Sequence, residues 1–273
     1  MFEVRKPRSR LSSTVATLEL IYHASVRQIR KSHSNAFMAI LMNMLQTIIF
    51  VLAFYFMFQI LGMRSAQIRG DFLVYIMTGV FLYMTHVKTL GAVSGAEGPT
   101  SPMMQHAPMN PAIAIAAAMV STLYIQILSV VVILFVYDVA FTPVEIHDPI
   151  ACLGMILLAW FTGGAIGLVL LAMKPWAPTF VGIFSTIYQR ANMIASGKMF
   201  VANTLPGYMV AMFDWNPLFH IIDQSRGHAF VNYYPHNSNL EYPIWFGIAL
   251  TMIGMMGEFY TRKHASASWG ARR

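Results

Sequence analysis

Long apolar runs separated by short polar breaks make up most of this chain. Runs at 37–60, 72–90, 112–137, 150–173, 179–197 and 242–260 are each long enough for a helix to cross a bilayer, so six spans are expected. Ahead of the first, Leu11, Val15, Leu18, Tyr22, Val26 and Ile29 recur at helical spacing, with Glu19, His23, Arg27 and Lys31 on another face. This pattern predicts an amphipathic helix over 11–34, either lying on the inner membrane surface or packed on a cytosolic partner. The expected fold is all-α and polytopic. Residues 1–36 form a cytoplasmic basic tail and interface helix, and 37–273 form one transmembrane domain.

Two stretches break the pattern. Between 91 and 111, Gly91, Gly95, Gly98, Pro99, Pro102, Pro108 and Pro111 punctuate a polar segment that cannot be one unbroken helix. Over 205–230, two apolar and helix-competent segments are each too short to cross. Asp214, Trp215, Asn216 and Pro217 separate them. Such a pair predicts a periplasmic re-entrant helical hairpin before the last span, or else an ordinary amphipathic outside loop.

Composition agrees with the pattern and adds an orientation. Only 11% of residues are charged and 57% are apolar, far from the balance of a soluble domain. Arg5, Lys6, Arg8, Arg10, Arg27, Arg30 and Lys31 crowd the N-terminal region, and Arg262, Lys263, Arg272 and Arg273 the C-terminal one. Asp138, Glu145 and Asp148 share a loop with no Lys or Arg. By the positive-inside rule both ends lie in the cytoplasm and residues 138–148 outside, with Lys88 and Lys174 at the inner face. Basic residues beside spans attract anionic lipid, so no nucleic-acid partner is expected. The polar and amphipathic start does not have the pattern of a cleaved signal peptide. Cys152 is the only cysteine and reads as a small hydrophobe in a span.

Catalytic chemistry has no visible basis in the residues. There is no Gly-rich phosphate loop ending in Lys and Ser/Thr, and the nine histidines are scattered without metal-ligand spacing. His220, Asp223 and Ser225 are close in sequence but lack a nucleophile elbow. No catalytic, cofactor or metal residues are expected, and the chain is not expected to be an enzyme on its own. The polar residues within spans are those of a conduit. Phe50, Phe54 and Phe58 form one stripe that either stacks on sugar rings or packs against lipid or a second copy. Gln126, Tyr188, Gln189 and Arg190 add polar groups to the candidate translocation path. Arg190 lies beyond mid-span, where a guanidinium calls for an ion pair, water or a polar passenger rather than lipid.

Several strings resemble those of ABC-2 type transporter permeases, in the capsule and polysaccharide export branch. They are Ser196-Gly197-Lys198-Met199-Phe200, Leu205-Pro206, and Trp215-Asn216-Pro217-Leu218-Phe219-His220 with Asp223 and Arg226 downstream. Lys198 departs from the apolar residue that pattern has at its position. The resemblance covers nearly the whole chain and implies the transmembrane subunit of a two-component glycan exporter in the bacterial inner membrane. It implies a homodimer with two cytoplasmic ATP-binding subunits that carry ATP and magnesium, and a lipid-linked glycan as passenger. A periplasmic co-polymerase and an outer-membrane channel complete the expected partners. The 95–110 stretch then becomes the coupling region, with Gln105, His106, Pro108 and Asn110 against the ATPase. Trp215, Asn216, Pro217, His220 and Arg226 become an outer gate. Export of a small lipid or drug, or a non-transporting membrane assembly role, are the alternatives.

Overall fold

The computed structural model describes residues 10–32, 36–62, 68, 70–98 and 110–264. Among them are nine α-helices, one 3-10 turn at Ala202–Thr204 and no strand. The helices are α1 Arg10–Ser32, α2 Ala36–Ile60, α3 Phe72–Ser94, α4 Pro111–Ala140, α5 Pro149–Met173, α6 Pro178–Ala195, α7 Gly207–Phe213, α8 Pro217–Ala229 and α9 Glu241–His264. Three of them start with the same local device. Asn110-Pro111, Asp148-Pro149 and Asn216-Pro217 each place a capping side chain before a proline at the first helical position. The caps accept from Ala112 N–H at 3.1 Å, Ala151 N–H at 3.0 Å and Leu218 N–H at 3.1 Å. Proline there loses no helical hydrogen bond, and its fixed φ already suits the helix.

Five helices are long and apolar enough to cross a membrane: α2, α3, α4, α5 and α9. The run expected as the fifth span is present as α6, with 18 residues and a length of about 27 Å. It does not meet the same standard of apolarity, because Ser185, Thr186, Gln189, Arg190 and Asn192 dilute it.

The most buried spans are α3 and α5, which pack along each other, with α9 on the far side of α5. Glycines allow the α3–α5 approach: a Cβ on Gly167 would stand 2.9 Å from the Leu90 carbonyl oxygen, and one on Gly163 would strike the His86 backbone. Around α3 lie α2 and α4, and α1 packs chiefly on α4. A stripe along α2 is buried at Ala39, Asn43, Thr47, Val51, Phe54 and Phe58, while Phe37, Ile49, Phe56 and Ile60 are exposed. Apolar side chains of α9 are likewise exposed from Trp245 to Phe259.

The predicted end of the second span at residue 90 is extended to Ser94. His86 is therefore two turns inside the helix and fully buried. Lys174, which caps α5, donates from Nζ to the Ser94 carbonyl at 3.4 Å and joins the ends of α3 and α5. Trp176 donates to Thr261 Oγ1 at 2.8 Å, and Thr261 to the Ala172 carbonyl at 2.9 Å, which fixes α9 at the same end. At the opposite end the α4–α5 loop binds α8: Asp148 N–H donates to the His228 carbonyl at 2.9 Å.

The two short helices expected over 205–230 are α7 and α8, broken at Asp214–Asn216, but they are not equivalent. No residue of α7 is buried, and Tyr208 and Met212 are exposed. By contrast, α8 is buried along most of its length against α3 and α5.

Candidate functional site

Residues from four helices meet along α3. At its C-terminal end, α2 and α4 are joined by amides: Asn43 Nδ2 donates to Ser129 Oγ at 2.9 Å, and Gln126 Nε2 donates to Asn43 Oδ1 at 3.2 Å. These polar groups are buried in the contact between apolar helices, where each needs an internal partner. Lys88 of α3 donates from Nζ to Gln46 Oε1 of α2. One turn further along α2 the lining becomes aromatic.

There, Lys198 enters from the loop after α6. Its Nζ lies 3.4 Å from the Tyr83 ring centroid, 4.8 Å from Phe54 and 5.3 Å from Phe50. The side chain is buried, and Nζ has no hydrogen-bond partner among the described residues. The negative faces of the three rings are its surroundings. The Phe50, Phe54 and Phe58 stripe is thus turned into the bundle, with Phe58 edge-on to Phe72 at 5.5 Å. It does not face lipid.

From the other flank α6 contributes two of the expected path residues. Tyr188 donates from its hydroxyl to His86 Nε2 at 3.0 Å, since His86 Nδ1 must carry the proton given to the Ala159 carbonyl at 3.2 Å. The Gln189 carbonyl accepts from the Tyr83 hydroxyl at 3.2 Å. Arg190 does not join them. It is exposed on α6, with no ion pair among the described residues. Phe50, Phe54, Phe58, Gln126 and Tyr188 are therefore arrayed along α3, Gln189 joins them through its backbone carbonyl alone, and Arg190 is set apart.

The expected outer-gate residues form a second site beside this column. Arg226 is buried in α8, and its guanidinium gathers three carbonyls: Nη1 donates to Gly197 at 2.8 Å and Phe200 at 2.7 Å, and Nη2 to Lys198 at 2.9 Å. The Tyr75 ring lies beneath it, 4.2 Å from Cζ to centroid. Gly197 makes this turn possible with a φ of 79°, a left-handed conformation that suits glycine. Asn216 uses its whole amide: besides capping α8, it donates to Asn192 Oδ1 at 2.9 Å and the Ala195 carbonyl at 3.0 Å. His220 donates from Nε2 to the Asp214 carbonyl at 2.7 Å and accepts at Nδ1 from Asn239 N–H at 3.1 Å. Trp215 stays exposed, but its carbonyl accepts from the Tyr242 hydroxyl at 2.6 Å. Pro217 is buried as the first residue of α8.

Asp223 turns away from His220. It accepts from the Tyr233 hydroxyl and from Ser238 Oγ at 2.7 Å. Burial, followed by the Asp223 carboxylate, holds the Tyr233 hydroxyl above its ordinary range. The three neighbours His220, Asp223 and Ser225 make no triad.

Of the expected coupling residues, Gln105, His106 and Pro108 lie outside the described residues, and Asn110 is the exposed cap of α4. Sequence reasoning missed Tyr75, Tyr83 and Tyr233, which lie in ordinary apolar or loop context. Lys198 did carry a signal, as a cation out of place beside a turn glycine. In comparisons with known proteins, no family model matches this chain and no curated protein matches it.

Proposed function

We propose that the chain is the transmembrane permease subunit of an ATP-driven exporter, moving a lipid-linked polysaccharide across the bacterial inner membrane. One observation carries this most. The separate strings that resemble the polysaccharide-export permeases fold onto one another, with the 196–200 turn wrapped on Arg226 and Asn216 pinned to the end of α6. That knot stands directly beside the column of inward polar and aromatic groups on α3. In this proposal α6 is the fifth of six crossings, both termini are cytoplasmic, and two copies join above two ATP-binding subunits that meet the 95–110 stretch. The α7–α8 pair lies on the side of the acidic α4–α5 loop, in keeping with an outer gate dipping from the periplasm. The passenger would meet Phe50 and Phe54 only after displacing Lys198 from between them. A periplasmic co-polymerase and an outer-membrane channel would receive it.

Arg190 supplies the test within this proposal. An exposed guanidinium on a membrane helix needs a partner copy, water or passenger beside it. After chromosomal deletion, surface glycan is expected to be lost and to return with the wild-type chain, which should co-purify with an ATP-binding subunit. Arg190→Leu is expected to restore export less well than Arg190→Lys, with the complex intact. Unchanged surface glycan after deletion, with no ATP-binding subunit captured, would overturn the proposal.

A second reading, export of a small lipid or drug, is favoured by a cavity of about 980 Å³ between α2, α3 and α4. Its walls are mainly apolar, with Asp71, Tyr137 and Thr142 at one end. Intact glycan with altered lipid or drug efflux in the deletion strain would select it.

A further inference from the structure

A smaller cavity, about 400 Å³, opens at the end of the bundle covered by α1. It lies between Gln28 of α1, Asn43 and Gln46 of α2, Lys88 of α3 and Gln126 of α4. Its size suits a small ligand or a headgroup. Among the described residues one ammonium lines it and no carboxylate does. Among the described residues Lys88 Nζ makes a single hydrogen bond, to the neutral Gln46 Oε1, so two of its three N–H groups remain for another acceptor.

The hydroxyls in the wall do not compete for an anion. Ser121 and Thr122 donate to the Ala118 carbonyl at 3.1 and 2.6 Å. Gln126 is engaged with Asn43. The donors least engaged are therefore the ammonium and the carboxamides of Gln46 and Gln28, since Asn43 and Gln126 each have one N–H already bonded. A half-buried cation among spans is expensive unless an anion compensates it. Above it lies an amphipathic helix with Arg27 and Arg30 exposed, a surface that gathers anionic headgroups.

We propose that this cavity is a phosphate site, in which Lys88 holds the phosphate as a point charge and Gln46 and Gln28 donate to its oxygens. The phosphate can arrive on a lipid headgroup or free from solution. The proposal depends on the bundle residing in a membrane, not on export, so it can fail while the exporter proposal stands, and the reverse.

The test uses the full chain in detergent, with dihexanoyl phosphatidylglycerol and inorganic phosphate as separate probes, read by native mass spectrometry and ligand-induced thermal shift. Saturable binding of at least one probe is expected, weakened about tenfold or more by Lys88→Met and retained by Lys88→Arg. Gln46→Leu, which keeps the cation, should weaken the same binding and covers the case in which Lys88→Met does not fold. Binding of the lipid alone identifies a headgroup site; equal binding of inorganic phosphate, with competition between the two, identifies a soluble phosphate. Equal affinity in wild type and both neutralised or trimmed variants, or no binding of either probe, overturns the proposal.

Discussion

Two buried cations in contact through the Lys198 backbone, Arg226 and Lys198, behave oppositely at the scale of single residues. Arg226 satisfies three carbonyls that no helix ladder reaches. Removing it strands the Lys198 and Phe200 carbonyls in the interior and leaves Gly197 only the long bond from Phe200 N–H, so Arg226→Met should destabilise by about 3–5 kcal/mol. In a chain of this size that lowers the melting temperature in detergent by roughly 10 °C. Arg226→Lys should recover little of this, because one ammonium cannot reproduce the planar fork that spans Gly197, Lys198 and Phe200. Lys198 has aromatic faces but no acceptor. An apolar side chain of similar volume fills the same space without desolvating a charge, so Lys198→Met should change stability by no more than about 1 kcal/mol. Thermal unfolding of the three variants checks both statements. A larger loss for Lys198→Met than for Arg226→Met would mean that the ring contacts, not the carbonyl contacts, hold the 196–200 turn.

Helix starts are where side-chain chemistry and element geometry meet. Asp71 caps α3 by accepting from Leu73 N–H at 2.8 Å, and its other oxygen accepts from the Tyr137 hydroxyl at 2.6 Å and Thr142 Oγ1 at 3.0 Å. Burial alone would raise its pKa, but the bonds from Tyr137, Leu73, Thr142 and Val74 outweigh it and hold the carboxyl below its usual range. A carboxylate whose folded pKa is depressed stabilises the fold above its unfolded value, about 4, and that stability is lost as pH falls through the folded value. The wild type should therefore lose stability below about pH 4 through this group. Asp71→Asn, which can still cap but cannot ionise, should be less stable at neutral pH and flatter across that acid range. Melting curves from pH 3 to 7 measure the difference. Parallel curves for the two proteins would show that the carboxylate's charge has no part in seating α3 against α4.

The whole molecule leaves broad apolar faces uncovered on α2, α4, α6 and α9. Surface of this kind in contiguous stripes belongs against lipid or another subunit. Five helices meet the length and composition for crossing, while α6 reaches similar length with more polar residues. Single-cysteine labelling of a Cys152-free background separates five crossings from six. Labels at residues 5 and 270 should be accessible from the cytoplasm and one at residue 145 from the periplasm. Opposite accessibility of the two termini would leave α6 uncrossed.

What the sequence by itself determined is the set of helices, because each depends on information local to its own stretch. Apolar runs long enough for a span, the period of Leu11–Ile29, and the Asn-Pro and Asp-Pro starts are all read within a few residues of the element they specify. The breaks around residues 214–217 were legible for the same reason. Only the tertiary structure decided which polar groups belong together. Lys198 reaches Tyr83 and Phe54 across more than a hundred residues of chain, and both terminal nitrogens of Arg226 are bonded by backbone carbonyls, which carry no residue-type signal at all. Arg190 and Tyr188 are two residues apart in sequence, yet two 100° steps of the helix turn one outward and the other toward His86 of α3. A run of letters records how apolar α6 is. Which of its sides meets α3 depends on the glycine-lined packing of α3 on α5 and on the knot that anchors its end, and both are set by residues far along the chain.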